Sequence, residues 1–317
     1  MSFEEIVEAQ SRIREYILEN TPLIPSKGLG NDQVFLKLEN LQVTGSFKIR
    51  GAANKLLKLA KTRTGNSRSI ITASAGNHGQ AVALCALKLG IKAKIVVPET
   101  TPSVKINKIK QFEPELILHG AIYDEAEDYA KKVAKEEGLE YVSPYNDRDV
   151  IAGQGTIGLE ILSQVPDVDS VVVPVGGGGL ISGIAMAVKK LSPETRVIGV
   201  QSEASPSMYE SFLAGKQIDT KVEDSIADGL SGNFERGSIT LDLIRKFVDE
   251  IVLVKETSIG KAIRLLWEQG QMVEGSGAAP IAALMENENP IPSGKKVVLV
   301  VSGGNIDFSK LQSVIKN

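Results

Sequence analysis

Short apolar runs alternate with longer amphipathic segments along the chain from about residue 68 onward. The apolar runs predict strands at residues 69–72, 93–97, 115–118, 171–175, 196–200, 251–254 and 296–301. The amphipathic segments predict helices at residues 77–89, 102–112, 124–137 and 155–164, from the glycines at 176–179 to residue 190, and from near Arg50. Strands that alternate with helices are typical of an α/β fold with parallel strands.

The positions of the glycine-rich segments predict two domains. Glycine-rich strand ends occur at residues 176–179 and 303–304, whereas a Ser-Phe-Lys segment lies near the start, at residues 46–48. We therefore predict a large domain that takes both termini, residues 1–68 and 148–317. A smaller α/β domain, residues 69–147, is predicted to be inserted in it. The cleft between two such domains is a common ligand site.

Composition and charge argue against several classes of protein. The chain has 317 residues, of which 42% are hydrophobic and 24% charged, and these values are ordinary for a soluble globular protein. A net charge of −3 does not favour nucleic acid or an anionic membrane as a partner. The start of the chain lacks the features of a signal peptide, and no apolar stretch is long enough to span a bilayer. We expect a cytoplasmic enzyme.

Cysteine and histidine are scarce. The only cysteine, Cys85, excludes an intramolecular disulfide and suits a reducing compartment. It lies in an apolar helical run, so we expect a buried structural thiol. With only two histidines beside it, we expect no transition-metal site. His119 ends a predicted strand and is expected to be structural.

Lys48 is the candidate nucleophile. Most lysines are solvent-exposed charges, but Phe47 and Ile49 give this one an apolar setting. Such a setting lowers the pKa of a lysine and favours its neutral, nucleophilic amine. A neutral amine can form a Schiff base with an aldehyde cofactor, and once displaced by substrate it can act as a general base.

Four consecutive glycines form a candidate phosphate loop between a predicted buried strand and a helix: Gly176, Gly177, Gly178 and Gly179. Glycine lets backbone N–H groups approach an anion, and the helix N-terminus adds a favourable partial charge. No Gly-Lys-Ser/Thr follows, so the run is not a Walker loop, and its mid-chain position does not fit a dinucleotide fingerprint. A plain strand-to-helix turn is the alternative interpretation.

A second strand-to-helix segment could hold a carboxylate. It consists of Ser74, Ala75, Gly76, Asn77 and His78. The backbone amides of a helix start and the Ser74 hydroxyl suit an anion. Asn77 could instead merely cap the helix. His78 could act through its ring, but at a helix start we expect its backbone amide to matter more.

Ser302 follows the last predicted strand, where a side chain can point into a cleft. A neutral hydroxyl facing a pyridine nitrogen would leave that nitrogen mostly unprotonated, and such a weak electron sink suits β-elimination. A plain Ser-Gly-Gly turn is the alternative. An amine, a carboxylate loop, a phosphate loop and a hydroxyl are together the parts that hold pyridoxal phosphate (PLP) and an amino acid side by side.

On these motifs the chain resembles the serine/threonine dehydratase (threonine ammonia-lyase) and serine racemase branch of PLP enzymes of fold type II. The resemblance runs from residues 21–23 through 150–156 to 302–305. It implies two open, twisted, mostly parallel sheets flanked by helices, with the large domain binding the cofactor and the small domain carrying the substrate loop. Cysteine synthases share the fold but typically carry Thr-Gly-Asn-Thr where this chain has Ala-Gly-Asn-His.

The resemblance also implies a role for each site residue. Lys48 would be the Schiff-base residue, Phe47 would lie against the cofactor ring, and Asn77 would bond the 3-hydroxyl of PLP. Residues 176–179 would hold its phosphate, Ser302 would face its ring nitrogen, and Glu274 would lie near it. Residues 74–78 would hold the carboxylate of the substrate.

Two departures from the racemases of this branch bear on function. Those enzymes typically carry a second serine where this chain has Ala75, and a methyl group cannot carry a proton. They also commonly bind a divalent metal through a Glu and an Asp at positions aligned with Gln201 and Ser207. The chain has no room for a C-terminal regulatory domain, so we expect no feedback control by isoleucine.

We therefore predict PLP-dependent elimination of water and ammonia from L-threonine or L-serine, giving 2-oxobutanoate or pyruvate. A serine or aspartate racemase is one alternative. Another is a 3-hydroxyaspartate dehydratase, although the sequence shows no extra cation reserved for a second carboxylate. A PLP- or amino-acid-binding protein without catalysis and a P-loop-like nucleotide binder remain as other classes. The family suggests a homodimer or homotetramer, with no nucleic acid or membrane partner.

Overall fold

The computed structural model describes residues 1–29, 33–63, 69–286 and 295–316. The helices are α1 (Phe3–Ile13), α2 (Lys48–Thr62), α3 (Asn77–Leu89), α4 (Ser103–Lys110), α5 (Tyr123–Glu137), α6 (Arg148–Gln164), α7 (Gly179–Leu191), α8 (Ser207–Ala214), α9 (Ile239–Phe247), α10 (Glu256–Glu268), α11 (Gly275–Met285) and α12 (Phe308–Lys316). The strands are β1 (Leu23–Pro25), β2 (Val34–Leu38), β3 (Ile70–Ala73), β4 (Ala93–Val97), β5 (Glu115–Leu118), β6 (Glu140–Tyr141), β7 (Ser170–Pro174), β8 (Arg196–Ser202), β9 (Glu250–Val254) and β10 (Val297–Val301).

These strands form two sheets. A six-stranded sheet has the order β1-β2-β10-β7-β8-β9, and a four-stranded sheet has the order β5-β4-β3-β6. Every pairing is parallel except that of β1 with β2. The predicted α/β fold with two mostly parallel sheets is confirmed.

The side chains of β10 show why its sequence reads as a continuous apolar run. Val297, Leu299 and Val301 pack into one buried cluster, which also holds α10 and α11 side chains. Val298 and Val300 pack into a second cluster with side chains of α7 and α9. Successive strand residues point to opposite faces, so a parallel strand covered on both faces must be apolar throughout.

Helix α6 begins earlier than the sequence pattern predicts, at Arg148 rather than near residue 155. The Asp147 side chain caps it by accepting hydrogen bonds from the backbone N–H groups of residues 149 and 150. Glycines inside the helix, which resemble a loop in sequence, are points of close approach. A Cβ on Gly153 would lie 2.3 Å from the Arg50 carbonyl oxygen, and one on Gly155 would lie 2.9 Å from that of Gly183.

The strands divide between the sheets by chain position. The four-stranded sheet is built from residues 70–141, and the six-stranded sheet from residues 23–38 and 170–301. The domain boundaries themselves stay a prediction, and the one at residue 68 lies outside the described residues. Within the described ranges, no helix is both long and apolar enough to cross a membrane.

A fully buried group of charges joins β2, α2 and α6. The Arg50 guanidinium donates hydrogen bonds to both Glu39 and Glu160, at distances of 2.7–2.9 Å. The Lys37 amine donates to Glu160 over 2.6 Å. These four side chains are at most 1% exposed. The sequence pattern did not indicate this network, which fixes the first turn of α2.

Candidate active site

A cavity of about 550 Å³ lies at the carboxyl ends of β3, β7 and β10. After β3 the chain runs through residues 74–76 into α3, and after β7 it runs through residues 175–178 into α7. The sequence-predicted site residues all line this cavity: Phe47, Lys48, Ser74, Ala75, Gly76, Asn77, His78, Gly176, Gly177, Gly178, Gly179, Glu274 and Ser302.

Lys48 is the first residue of α2, and its side chain is half-buried in the cavity wall. Its Nζ donates a hydrogen bond to the Pro144 carbonyl oxygen at 2.9 Å and lies 5.1 Å from the centroid of the Phe47 ring. Burial lowers the pKa of Lys48 to about 8, although the negative charge of Glu274 opposes the shift. About a tenth of the amine is therefore neutral at pH 7, far more than for an ordinary lysine with a pKa of about 10.4.

The segment before Lys48 is held against the end of β10. The Phe47 N–H donates to the Ser302 carbonyl oxygen at 3.0 Å, and the Gly304 N–H donates to that of Gly45 at 2.9 Å. Ser302 is 3% exposed and lines the cavity. These backbone bonds place the lysine and the serine hydroxyl in one site.

Helix α3 starts at the cavity with Gly76, rather than Asn77, at its N-cap position. The suggestion that Asn77 merely caps the helix is therefore wrong. Its side chain donates to Glu274 Oε1 at 2.7 Å and accepts from Asn305 at 2.8 Å. A Cβ on Gly76 would meet nothing within 4 Å, so open space adjoins this helix N-terminus.

The surroundings of His78 do not suit a general acid or base. The residue is 3% exposed, and its Nε2 lies 3.0 Å from the Val142 carbonyl oxygen, to which it donates as the neutral tautomer. Burial lowers the pKa of His78 to about 3, and the charge of Lys48 adds to the shift. The His78 ring is therefore neutral near neutral pH.

The other histidine, His119, stacks on Tyr129, with ring centroids 3.9 Å apart.

The glycine loop is packed too closely for any side chain. A Cβ on Gly176 would lie 2.6 Å from the Gly229 carbonyl oxygen, and one on Gly177 would lie 2.5 Å from the ring of Tyr145. Gly178 is the N-cap residue of α7 and has a φ of 85°. The first N–H groups of a helix lack intrahelical partners, and here they begin at the cavity.

Glu274 precedes α11 and is half-buried beside the cavity. Its backbone N–H donates to the Gly303 carbonyl oxygen at 3.1 Å. Burial raises the pKa of Glu274 to about 7, and the hydrogen bond from Asn77 only partly opposes this. The carboxyl group can therefore change its charge near neutral pH.

The pyridoxal-phosphate dependent enzyme family matches residues 15–303 of the chain. The chain belongs to this family. An L-threonine ammonia-lyase of Thermotoga maritima is 45% identical over 319 residues, covering 99% of this chain and 78% of that protein. A catabolic L-threonine dehydratase of Staphylococcus aureus is 44% identical over 324 residues, covering 100% of this chain and 92% of that protein.

Solved structures of PLP enzymes of fold type II share the architecture. Maize serine racemase superposes with a TM-score of 0.91 at 36% identity, covering 99% of this chain and 97% of that one. The processed form of threonine deaminase isoform 2 from Solanum lycopersicum has a TM-score of 0.89 at 35% identity, covering 99% and 92%. The predicted fold type is confirmed.

PLP is the cofactor of this PLP-dependent enzyme, and the residues of the cavity fit it. Lys48 supplies an amine of lowered pKa, and α7 supplies glycine-lined N–H groups. Ser302 supplies a neutral hydroxyl, and open space adjoins Gly76. The aldehyde, the phosphate and the ring nitrogen of PLP would each find a chemically suitable group among these residues.

Sequence reasoning missed several residues around the cavity. The half-buried Tyr145 lies against Gly177, and its hydroxyl accepts a hydrogen bond from the Glu235 N–H at 2.9 Å. Lys105 and Asp228 also line the cavity and form an ion pair at 3.3 Å. No motif marks these positions, because their partners are distant in sequence and become neighbours only in the fold.

Three lysines also line the cavity, although the sequence showed no extra cation reserved for a second carboxylate. They are Lys105, Lys108 and Lys310. Lys105 and Lys310 both pair with Asp228. Lys108 makes no ion pair within the described part of the chain.

The two residues that the resemblance aligns with the racemase metal ligands are hydrogen-bonded to the protein backbone. Gln201 is buried and accepts a hydrogen bond from the Tyr209 N–H at 2.9 Å, while Ser207 donates to the Gly232 carbonyl oxygen at 3.0 Å. Across residues 1–29, 33–63, 69–286 and 295–316, no cluster of three or more His, Cys, Asp or Glu could hold a metal ion.

Proposed function

We propose that this PLP enzyme is an ammonia-lyase that eliminates water from L-threonine or L-serine to give an enamine, which tautomerises and is hydrolysed by water to a 2-oxo acid and ammonia. The products would be 2-oxobutanoate or pyruvate. The observation that carries the proposal is the 44–45% identity, over nearly the whole chain, to proteins named L-threonine ammonia-lyase and L-threonine dehydratase. The arrangement of the cavity supports it.

Five parts of the wall would hold the cofactor. The N-terminus of α7 with residues 176–179 would bind its phosphate, Ser302 would face its ring nitrogen, and Phe47 would lie against its ring. Asn77 would bond its 3-oxygen, and Lys48 would anchor it through the side-chain amine. When bound, PLP withdraws electrons from the α-carbon of an attached amino acid.

The chain itself would position the substrate and move the proton. The N-terminus of α3, with the Ser74 hydroxyl, would bind the substrate carboxylate. The neutral amine of Lys48 would take the α-proton at Nζ. Ser302 would leave the ring nitrogen unprotonated, which suits loss of a β-hydroxyl because the carbanion need not be long-lived.

Ala75 favours elimination over racemisation. It lines the cavity at the position where racemases of this branch typically carry a serine. Inversion needs a second group that can deliver a proton to the far face of the α-carbon, and a methyl group cannot. The likeness to maize serine racemase keeps racemisation as the alternative. Lys108, without an ion-pair partner among the described residues, is the one feature that favours a substrate with a second carboxylate.

Lys48→Ala tests the proposal. We expect loss of both turnover and the visible absorbance of covalently held cofactor. Lys61→Ala, on an exposed position of the same helix, provides the control and should keep both. Turnover of L-threonine or L-serine by Lys48→Ala would contradict the assignment.

We also propose a cellular location, an oligomeric state and a domain division, which the likeness to the family supports. The chain would act in the cytoplasm as a homodimer or homotetramer, with a large domain at 1–68 and 148–317 and a small domain at 69–147. Light scattering of the purified holoenzyme measures the assembly directly, and a monomer would contradict it.

A further inference from the structure

Three side chains beside the cavity form a continuous chain of hydrogen bonds. Asn305 Nδ2 donates to the backbone carbonyl oxygen of Thr44 and to Asn77 Oδ1, both at 2.8 Å. Asn77 Nδ2 in turn donates to Glu274 Oε1 at 2.7 Å. The chain connects the segment before α2, the start of α3, the start of α11 and the segment after β10.

The direction of this chain is set by one backbone atom. A carbonyl oxygen can only accept, so the group of Asn305 that faces Thr44 must be its NH₂. The second proton of that NH₂ is directed at Asn77, so the atom it meets must be the Asn77 oxygen. The Asn77 NH₂ must then face Glu274. Turning either amide over would place acceptor against acceptor at Thr44 or donor against donor at Asn77.

The Asn305 amide is also confined by the backbone beside it. A Cβ on Gly45 would lie 3.0 Å from its Nδ2 and 3.1 Å from its Oδ1, so the amide packs against the bare Cα of Gly45. Gly45 has a φ of 72°, in the left-handed region that favours glycine. The backbone thus leaves space for this amide and holds it in place.

This arrangement determines which group Asn77, a residue of the cavity wall, can offer to a ligand. Its oxygen is used by Asn305 and one of its amide protons is used by Glu274. Its second amide proton has no partner among the described residues. A ligand that meets the NH₂ end of Asn77 therefore meets a donor, because the oxygen of the amide is turned toward Asn305.

We propose that Asn305 is a positioning residue that locks Asn77 as a hydrogen-bond donor toward an anionic oxygen of the cofactor ring. Glu274 completes the lock by holding the other amide proton. The inference rests on the proposed PLP site, in which Asn77 meets the 3-oxygen. A donor fixed in this way favours the ionised 3-oxygen over its protonated form, because it cannot turn round to accept.

The test compares Asn305→Leu with Asn40→Leu in the PLP-loaded protein. Leucine keeps the approximate size of asparagine but removes its hydrogen bonds. Asn40 is a matched control because it is 8% exposed and donates to a backbone carbonyl, that of Met272 at 3.1 Å, without touching Asn77. The readout is the absorbance ratio of cofactor with an ionised 3-oxygen to cofactor with a protonated one.

We expect Asn305→Leu to lower that ratio by about threefold, the effect of one lost hydrogen bond, because the partner of the Asn77 oxygen is lost and only Glu274 still orients the amide. Asn40→Leu should keep the wild-type ratio. A wild-type ratio in Asn305→Leu, or an equal change in both variants, would overturn the proposal.

A measurement on the cofactor-free wild type separates this inference from the proposed function. Hydrogen exchange of ¹⁵N-labelled side-chain amides should show both protons of Asn305 protected but only one proton of Asn77. Equal exchange of the two Asn77 protons would overturn the inference whatever the variants do. Failure of the wild-type protein to bind PLP would instead refute the proposed site while leaving this pattern intact.

Discussion

Lys48 and Glu274 line the same cavity, and burial moves their pKa values toward neutrality from opposite sides. The pKa of Lys48 is lowered to about 8 and that of Glu274 is raised to about 7. Burial disfavours the charged form of each group, which is the protonated form of a lysine and the deprotonated form of a glutamate. The negative charge of Glu274 limits how far the pKa of Lys48 falls.

This pair predicts the pH dependence of cofactor capture. Below its pKa Lys48 is protonated and cannot act as a nucleophile, so the rate at which cofactor-free protein captures PLP should rise as pH rises through about 8. Rapid-mixing absorbance measures that rate. Glu274→Gln removes the charge that raises the Lys48 pKa, so its profile should shift to lower pH. A rate that rises only near the ordinary lysine pKa of about 10.4 would contradict the account.

Ala75→Ser tests what limits racemisation. The added hydroxyl supplies a group that can carry a proton, so we expect D-serine to accumulate from L-serine at least about a hundredfold faster than in the wild type, the lower end of the range for one general acid–base group. Chiral chromatography measures the product. Ala75→Val adds volume without a proton carrier and should give no D-serine. No change in Ala75→Ser would show that another group decides the stereochemistry.

Among the elements, the loop before α7 depends on the absence of side chains. A methyl group on Gly177 would lie 2.5 Å from the Tyr145 ring. Overpacking of this kind costs about 1–3 kcal/mol, so Gly177→Ala should weaken PLP affinity by about tenfold. Fluorescence titration with PLP measures the affinity.

Gly260 in α10 provides the control, because a Cβ there would meet nothing within 4 Å. Gly260→Ala should leave PLP affinity unchanged and stabilise the protein by about 0.5–1 kcal/mol, because alanine loses less backbone entropy in a helix. Equal PLP affinity in both variants would show that the packing at Gly177 is not needed for binding.

Elements with a clear period could be predicted from the sequence, and elements set by packing could not. The pattern placed β3, β4, β5 and α3 to within one residue of their bounds. It missed the first turns of α6, because Gly153 and Gly155 resemble a loop yet serve close helix contacts. It assigned no strand at β2, where the buried Lys37 interrupts the apolar run.

At the scale of the whole molecule, charges far apart in sequence meet in the core. Lys37 and Glu160 are 123 residues apart in the chain and lie 2.6 Å apart in the fold. A sequence gives no sign of such a pair, because each residue alone resembles surface. Local motifs could therefore indicate the chemistry of the site, whereas the network that fixes α2 became visible only in the structure.

Arg50→Met tests how much that network contributes to the free energy of unfolding. The change leaves Glu39 and Glu160 buried without the guanidinium that bonds both, and breaking such a group costs about 3–5 kcal/mol. Arg14→Met removes an exposed ion pair with Glu19 and should cost no more than about 1 kcal/mol. Denaturant unfolding monitored by circular dichroism measures both. Similar losses in the two variants would contradict the role given to the buried charges.

The central claim is most directly tested by measuring 2-oxo acid release from the purified, PLP-loaded protein, with L-threonine and L-serine in parallel and D-amino acid assayed in the same samples. We expect ready formation of 2-oxobutanoate or pyruvate with little D-amino acid, and the faster reaction identifies the preferred substrate. Substantial D-serine with little 2-oxo acid would contradict the claim and show that some other residue delivers the proton to the far face, which Ala75 cannot do.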